Sequence, residues 1–102
     1  MILREKDKIQ LINIATQTIK TPSQIWAFGS RVNGDAHDTS DLDLVIISNN
    51  NQKLDIDEFI NFKEAIRDST IPILIQVLDW NRIPKSFHQN ILEDYEILIR
   101  IN

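Results

Sequence analysis

The apolar positions of this chain change their period several times, and each change marks an element. Leu3, Ile9, Ile12, Ala15 and Ile19 recur near helical spacing with polar residues between them. They predict an amphipathic helix from about Leu3 to Ile19, ended by Thr21-Pro22-Ser23. Ile25-Trp26-Ala27-Phe28 is short, aromatic and β-branched, and Gly29 closes it, so a strand stopping at a turn is expected. Ser30 to Ser40 is polar, contains Gly34, and reads as a loop with room for one helical turn. Asp41 to Ser48, DLDLVIIS, reads as a strand whose final four apolar positions are buried on both faces, as in a sheet covered by helices.

After the Asn49 to Gln52 loop, Asp55 to Asp68 carries Ile56, Phe59, Ile60 and Ile66, with Asp55 or Asp57 as N-cap, and predicts a second helix. Ile71 to Leu78 is a third strand, with Pro72 tolerable at its start. Pro84 suits the first turn of a third helix, in which Phe87 and Ile91 pair at i, i+4, and Glu96 to Ile101 reads as a short closing strand. The economical architecture is α/β or α+β in two layers: a small mixed sheet of about four strands with helices packed on it. With 102 residues and no linker-like stretch, residues 1–102 are expected to form a single domain.

Composition narrows the chemistry. At 42% hydrophobic and 25% charged residues the chain has the make-up of a folded soluble domain. It contains no cysteine, so thiolate zinc sites and cysteine nucleophiles are excluded and any metal must rest on oxygen or imidazole. The net charge is -4 and the cations are scattered, which disfavours direct binding to nucleic acid. A phosphorylated small molecule remains compatible where a metal supplies the positive charge. Neither a signal-peptide run nor an apolar membrane span is present, and a cytoplasmic location is the default expectation.

Alternate residues of a strand share a face, so Asp41 and Asp43 project together, with Val45 and Ile47 further along. Adjacent carboxylates repel and raise each other's pKa unless a cation offsets both charges, and a hard divalent ion is the usual device. A lone pair of this kind is more often a turn cap beside a solvated strand end. Its company matters: Gly29-Ser30 directly follows another strand, where glycine permits close backbone approach and adjacent amides can meet phosphate.

Gly29-Ser30, then Asp41-Leu42-Asp43, within WAFGSRVNGDAHDTSDLDLVI, resembles the signature of the DNA polymerase β-like nucleotidyltransferase superfamily, in its minimal (MNT) branch. The likeness extends over nearly the whole chain, including Asp79-Trp80 at the third strand's end. It implies the polymerase β-like fold, with Ser30 and the Gly29 turn holding the β- and γ-phosphates of ATP, and Asp41 and Asp43 both catalytic and metal-ligating. Mg²⁺ would bind there, as one ion or as a two-metal site. Arg31 and Ser40 join the nucleotide-binding set, although such an arginine equally often pairs with a surface carboxylate such as Asp35 or Asp38.

One departure stands out. The family's third carboxylate falls here on Gln76, whose neutral oxygen cannot take a proton from an attacking hydroxyl. Asp79 is no replacement, since an odd offset turns it to the other face, and it is expected to cap the turn into the last helix. His37 and His88 read as solvated or hydrogen-bonded, and Trp26 and Trp80 as core or interface residues; Tyr95 has no evident partner.

The resemblance also implies a setting. Short MNT proteins resemble the antitoxin half of a toxin-antitoxin pair, whose helical HEPN partner is modified on tyrosine by AMPylation. Two alternatives stay open: a binding module whose site is impaired by Gln76, and a small-molecule nucleotidyltransferase subunit. A homodimer or hetero-oligomer is left undecided by the sequence.

Overall fold

The computed structural model describes residues 3–33 and 41–102. Their order is α1 (Glu5–Thr18), β1 (Ser23–Phe28), α2 (Ser30–Asn33), β2 (Leu42–Ser48), α3 (Ile56–Arg67), β3 (Ile75–Asp79), α4 (Lys85–Glu93) and β4 (Tyr95–Ile101). The strands form one sheet in the order β3-β2-β1-β4. β1 runs antiparallel to β2 and β4, while β2 and β3 are parallel and joined through α3. This is the expected mixed four-stranded sheet with helices against it.

The sheet is apolar on both sides, which explains the uninterrupted run in β2. Leu42, Leu44 and Ile46 face α1 and α3 in the larger core, with Ile25, Ala27, Phe62, Val77 and Ile99. Val45 faces the other way, into a smaller cluster of Phe28 and Ile91 with Trp26, Leu78 and Phe87 against it. Truncating the fully buried Phe62 in the larger core would cost about 3–5 kcal/mol.

The helices turn differently from the expected stripes. In α1 the inward line is Asp7, Leu11 and Ala15, and Ile9 is exposed. A helix period admits either stripe, and the buried one tolerates Asp7 because Arg4 Nε donates to its carboxylate at 2.8 Å. In α3 the buried residues are Phe62 and Ile66, leaving Ile56 and Ile60 exposed. Asp55 is its N-cap, accepting from the amides of Asp57 and Glu58. The third strand is shorter than its apolar run: it begins at Ile75, leaving Pro72 outside the ladder. Pro84 stands at the N-cap of α4 rather than inside its first turn.

β4 contains an irregularity that its sequence hides. Ile99 pairs with Ile25 and Ile97 with Trp26, so Leu98 is an extra residue and the register shifts. Ile99 and Ile101 therefore face the larger core, whereas Ile97 and Tyr95 share the side of Trp26 and Phe28. Among the described residues, no helix is long and apolar enough to cross a membrane.

Candidate active site

The site forms where β1 ends and β2 begins. Antiparallel pairing sets Phe28 opposite Asp43, and parallel pairing sets Asp43 beside Gln76. Directly paired residues share a face, so Asp43 and Gln76 project together from neighbouring strands. Asp41 lies just ahead of β2, two residues before Asp43 and exposed.

Gly29 brings the turn onto this pair. Its φ of +84° lies in the left-handed region that glycine enters without strain. A Cβ added there would stand 2.5 Å from Asp43 Oδ2, so the carboxylate occupies the space that any side chain would need. The turn and the acid are thus in direct contact, and the Gly29 carbonyl accepts from Val32 N at 3.0 Å as α2 starts at Ser30. Arg31 is buried at 3% exposure rather than carried on the surface. Ser40, Asp35, Asp38 and His37 lie outside the described residues.

Burial first, and the charge of Asp41 second, push the Asp43 carboxyl above its ordinary value. The two acids thus stand close enough for the charge of one to disfavour ionisation of the other. Two coupled carboxylates and the Gln76 amide oxygen make an all-oxygen donor set suited to a hard cation. No group of three or more His, Cys, Asp or Glu able to hold a metal occurs among the described residues. Beside Asp43 and Gln76 a cleft of about 310 Å³ opens between the sheet and the start of α4, walled by Phe28, Leu78, Ile83 and Phe87.

Asp79 is excluded from this site. It is buried on the opposite face, where Oδ2 accepts from Leu54 N at 2.8 Å and from Arg82 Nη1 at 3.0 Å. Its Oδ1 accepts from Asn81 N at 3.1 Å, which caps the turn leading to α4. The added tie to Leu54 was hidden from sequence reasoning because the residues are 25 apart. Tyr95 does have a partner, stacking on Trp26 with centroids 4.2 Å apart. His88 stacks on Trp80 with centroids 3.6 Å apart, and its Nε2 lies 2.7 Å from the Trp80 carbonyl.

A mixed sheet of this order with a glycine turn on one strand and paired acids on the next defines a nucleotidyltransferase. The chain matches the family described as "Polymerase beta, Nucleotidyltransferase" over residues 7–102, and it belongs to that family. It is 33% identical over 94 residues to the "Probable protein adenylyltransferase MntA" of Haemophilus influenzae, covering 92% of this chain and 81% of that protein. Its fold resembles the crystal structure of a toxin-antitoxin with AMP-PNP, with TM-score 0.74 and 18% identity over 94% of this chain and 75% of that one. A mutant of the toxin-antitoxin MntA-HpeT superposes with TM-score 0.70 at 18% identity, over 98% of this chain and 76% of that one.

Proposed function

We propose that this chain is a Mg²⁺-dependent adenylyltransferase that passes AMP from ATP to a partner protein, as the antitoxin of a HEPN/MNT toxin-antitoxin pair. The observation that carries the proposal is the contact of Asp43 with the Gly29 turn, with Asp41 and Gln76 alongside. The relative named as an adenylyltransferase supports the reaction, and the folds seen in toxin-antitoxin crystals support the setting. A cytoplasmic location, where ATP is at hand, fits both.

In this reading the amides of Gly29 and Ser30 hold the β- and γ-phosphates, and Arg31 and Ser40 complete the nucleotide contacts. Asp41 and Asp43 would hold Mg²⁺, which would supply positive charge against the phosphates when bound. The attacking hydroxyl forms a bond to that phosphorus, pyrophosphate leaves, and the hydroxyl proton passes to solvent or to an Asp carboxylate. Gln76 orients without taking the proton.

Gln76 also favours a second reading, a binding module that neutralises its partner by contact. Co-expression with the protein encoded by the adjacent reading frame, followed by intact-mass measurement after adding ATP and Mg²⁺, separates the two. Stepwise gain of AMP mass on the partner, lost in Asp41→Asn, establishes the enzyme. Stable association with no adduct establishes the module.

A further inference from the structure

Three hollows of the surface run into one another along the β3 margin. The cleft beside Asp43 shares Gln76 and Leu78 with a second hollow that contains Asp41. That hollow continues past Lys63, Leu74 and Ile75 into an open groove of about 470 Å³ between α3 and β3. The carboxylate site therefore opens onto an apolar channel along one edge of the sheet.

Among the described residues β3 has β2 as its one strand neighbour. In a parallel ladder each residue directs its N–H and C=O to one side, and successive residues alternate. The Leu74 carbonyl accepts from Leu42 N, and Trp80 N donates to the Ile46 carbonyl, each at 2.9 Å. Even-numbered residues of β3 thus bond inward, and Ile75 and Val77 direct their main-chain groups outward. Sheet margins are ordinarily blunted by charge, bulges or cover. This one instead presents Leu74 at 69% exposure and Ile60 at 44%.

We infer that this margin docks an extended segment of the acceptor polypeptide, added as a strand outside β3. The inference rests on the reading of the site as one that transfers to a protein. A segment residue opposite Gln76 shares the Gln76 and Asp43 face, two strand spacings or about 10 Å from the Asp43 backbone. Its side chain enters the carboxylate cleft from the open side. Neighbouring segment residues face the α3 groove, whose rim carries Lys63 and Arg67 against one Glu64. An apolar residue flanked by an acidic one is the pattern this groove accepts. A chain of outward amides and carbonyls ending at a reactive site suits a polypeptide better than a small acceptor.

The test uses the co-expressed pair described above, with Leu74→Glu and Ile75→Pro in this chain and Ile97→Glu at the opposite margin as control. Leu74→Glu alters an exposed side chain, so its unfolding midpoint verifies an intact fold; Ile75→Pro removes one outward N–H at the strand's start. We expect each to raise the acceptor KM about tenfold, with kcat at saturating acceptor and calorimetric ATP–Mg²⁺ binding retained, and with partner affinity weakened in parallel. Ile97→Glu leaves all four readouts at the wild-type value. Partner binding and KM unchanged in both β3 variants overturn the docking site while leaving transfer intact. Partner binding that weakens in both β3 variants, beside a wild type that binds but transfers nothing, sustains the docking site and overturns the transfer reading. A wild type that does not bind the partner, or whose β3 margin instead mediates self-association lost in Leu74→Glu, overturns the inference.

Discussion

Asp43 and Asp79 are the same residue type on adjacent strands, and their surroundings give them opposite work. Asp79 is 2% exposed, yet every direction around its carboxylate is filled by a donor: the amides of Leu54 and Asn81 and the guanidinium of Arg82. Asp43 is less buried, and has a like charge at Asp41 and the bare Cα of Gly29 for neighbours. A carboxylate supplied with donors ties elements together. One held beside a like charge, with its carboxyl pushed above its ordinary value, is costly for the fold and available for chemistry.

The contrast can be broken most forcefully at Asp79. Asp79→Ala leaves Arg82 and two amides without their acceptor, and should lower unfolding free energy by about 3–5 kcal/mol in urea titration. Asp43→Asn should do the reverse: the fold is kept, while AMP transfer measured by intact mass falls on the order of a hundred- to a thousandfold. A destabilised Asp43→Asn or an unaffected Asp79→Ala would erase the distinction.

Gly29→Ala lies between the two. The left-handed backbone and the overlap with Asp43 Oδ2 should cost about 2 kcal/mol in thermal unfolding and also depress ATP–Mg²⁺ binding, because the acid must shift. Gln76→Asp restores an acid opposite Asp43 and should raise transfer about tenfold where the wild type is slow. An unchanged or lower rate would count against the account of the third position.

The smallest effect is in pH. Because the folded Asp43 carboxyl titrates above its unfolded value, the folded state keeps a proton that the unfolded chain has already lost. Stability is then lost as pH rises from the ordinary carboxylate range through the raised value. Asp43→Asn should flatten that slope slightly in metal-free buffer, as followed by the thermal midpoint, with solvent screening keeping the difference small.

Much of this site is legible in the sequence because its logic is local. The DLD spacing keeps Asp41 near Asp43 although β2 begins only at Leu42, and a glycine after an aromatic run announces a turn; both follow from neighbours in the chain. Tertiary choices were hidden. Ile9 and Leu11 compete for the inner face of α1, and only packing against the sheet selects Leu11. Helical spacing in α3 points to Ile56, Phe59, Ile60 and Ile66, yet Phe62 fills the core between the helix and the sheet. The Asp79 tie to Leu54 and the stacking of Tyr95 on Trp26 depend on strand order, which no local period encodes.

The extra residue at Leu98 makes β4 a strand with two allegiances. Read as a regular strand, Ile97, Ile99 and Ile101 would all belong to one side, and Trp26 would pair with Leu98 in place of Ile97. A regular ladder that kept Leu98 would not merely straighten the strand. It would exchange what the first half shows to each layer, setting Glu96 opposite Phe28 where Tyr95 now stands, so the bulge specifies this end of the strand as tightly as any side chain.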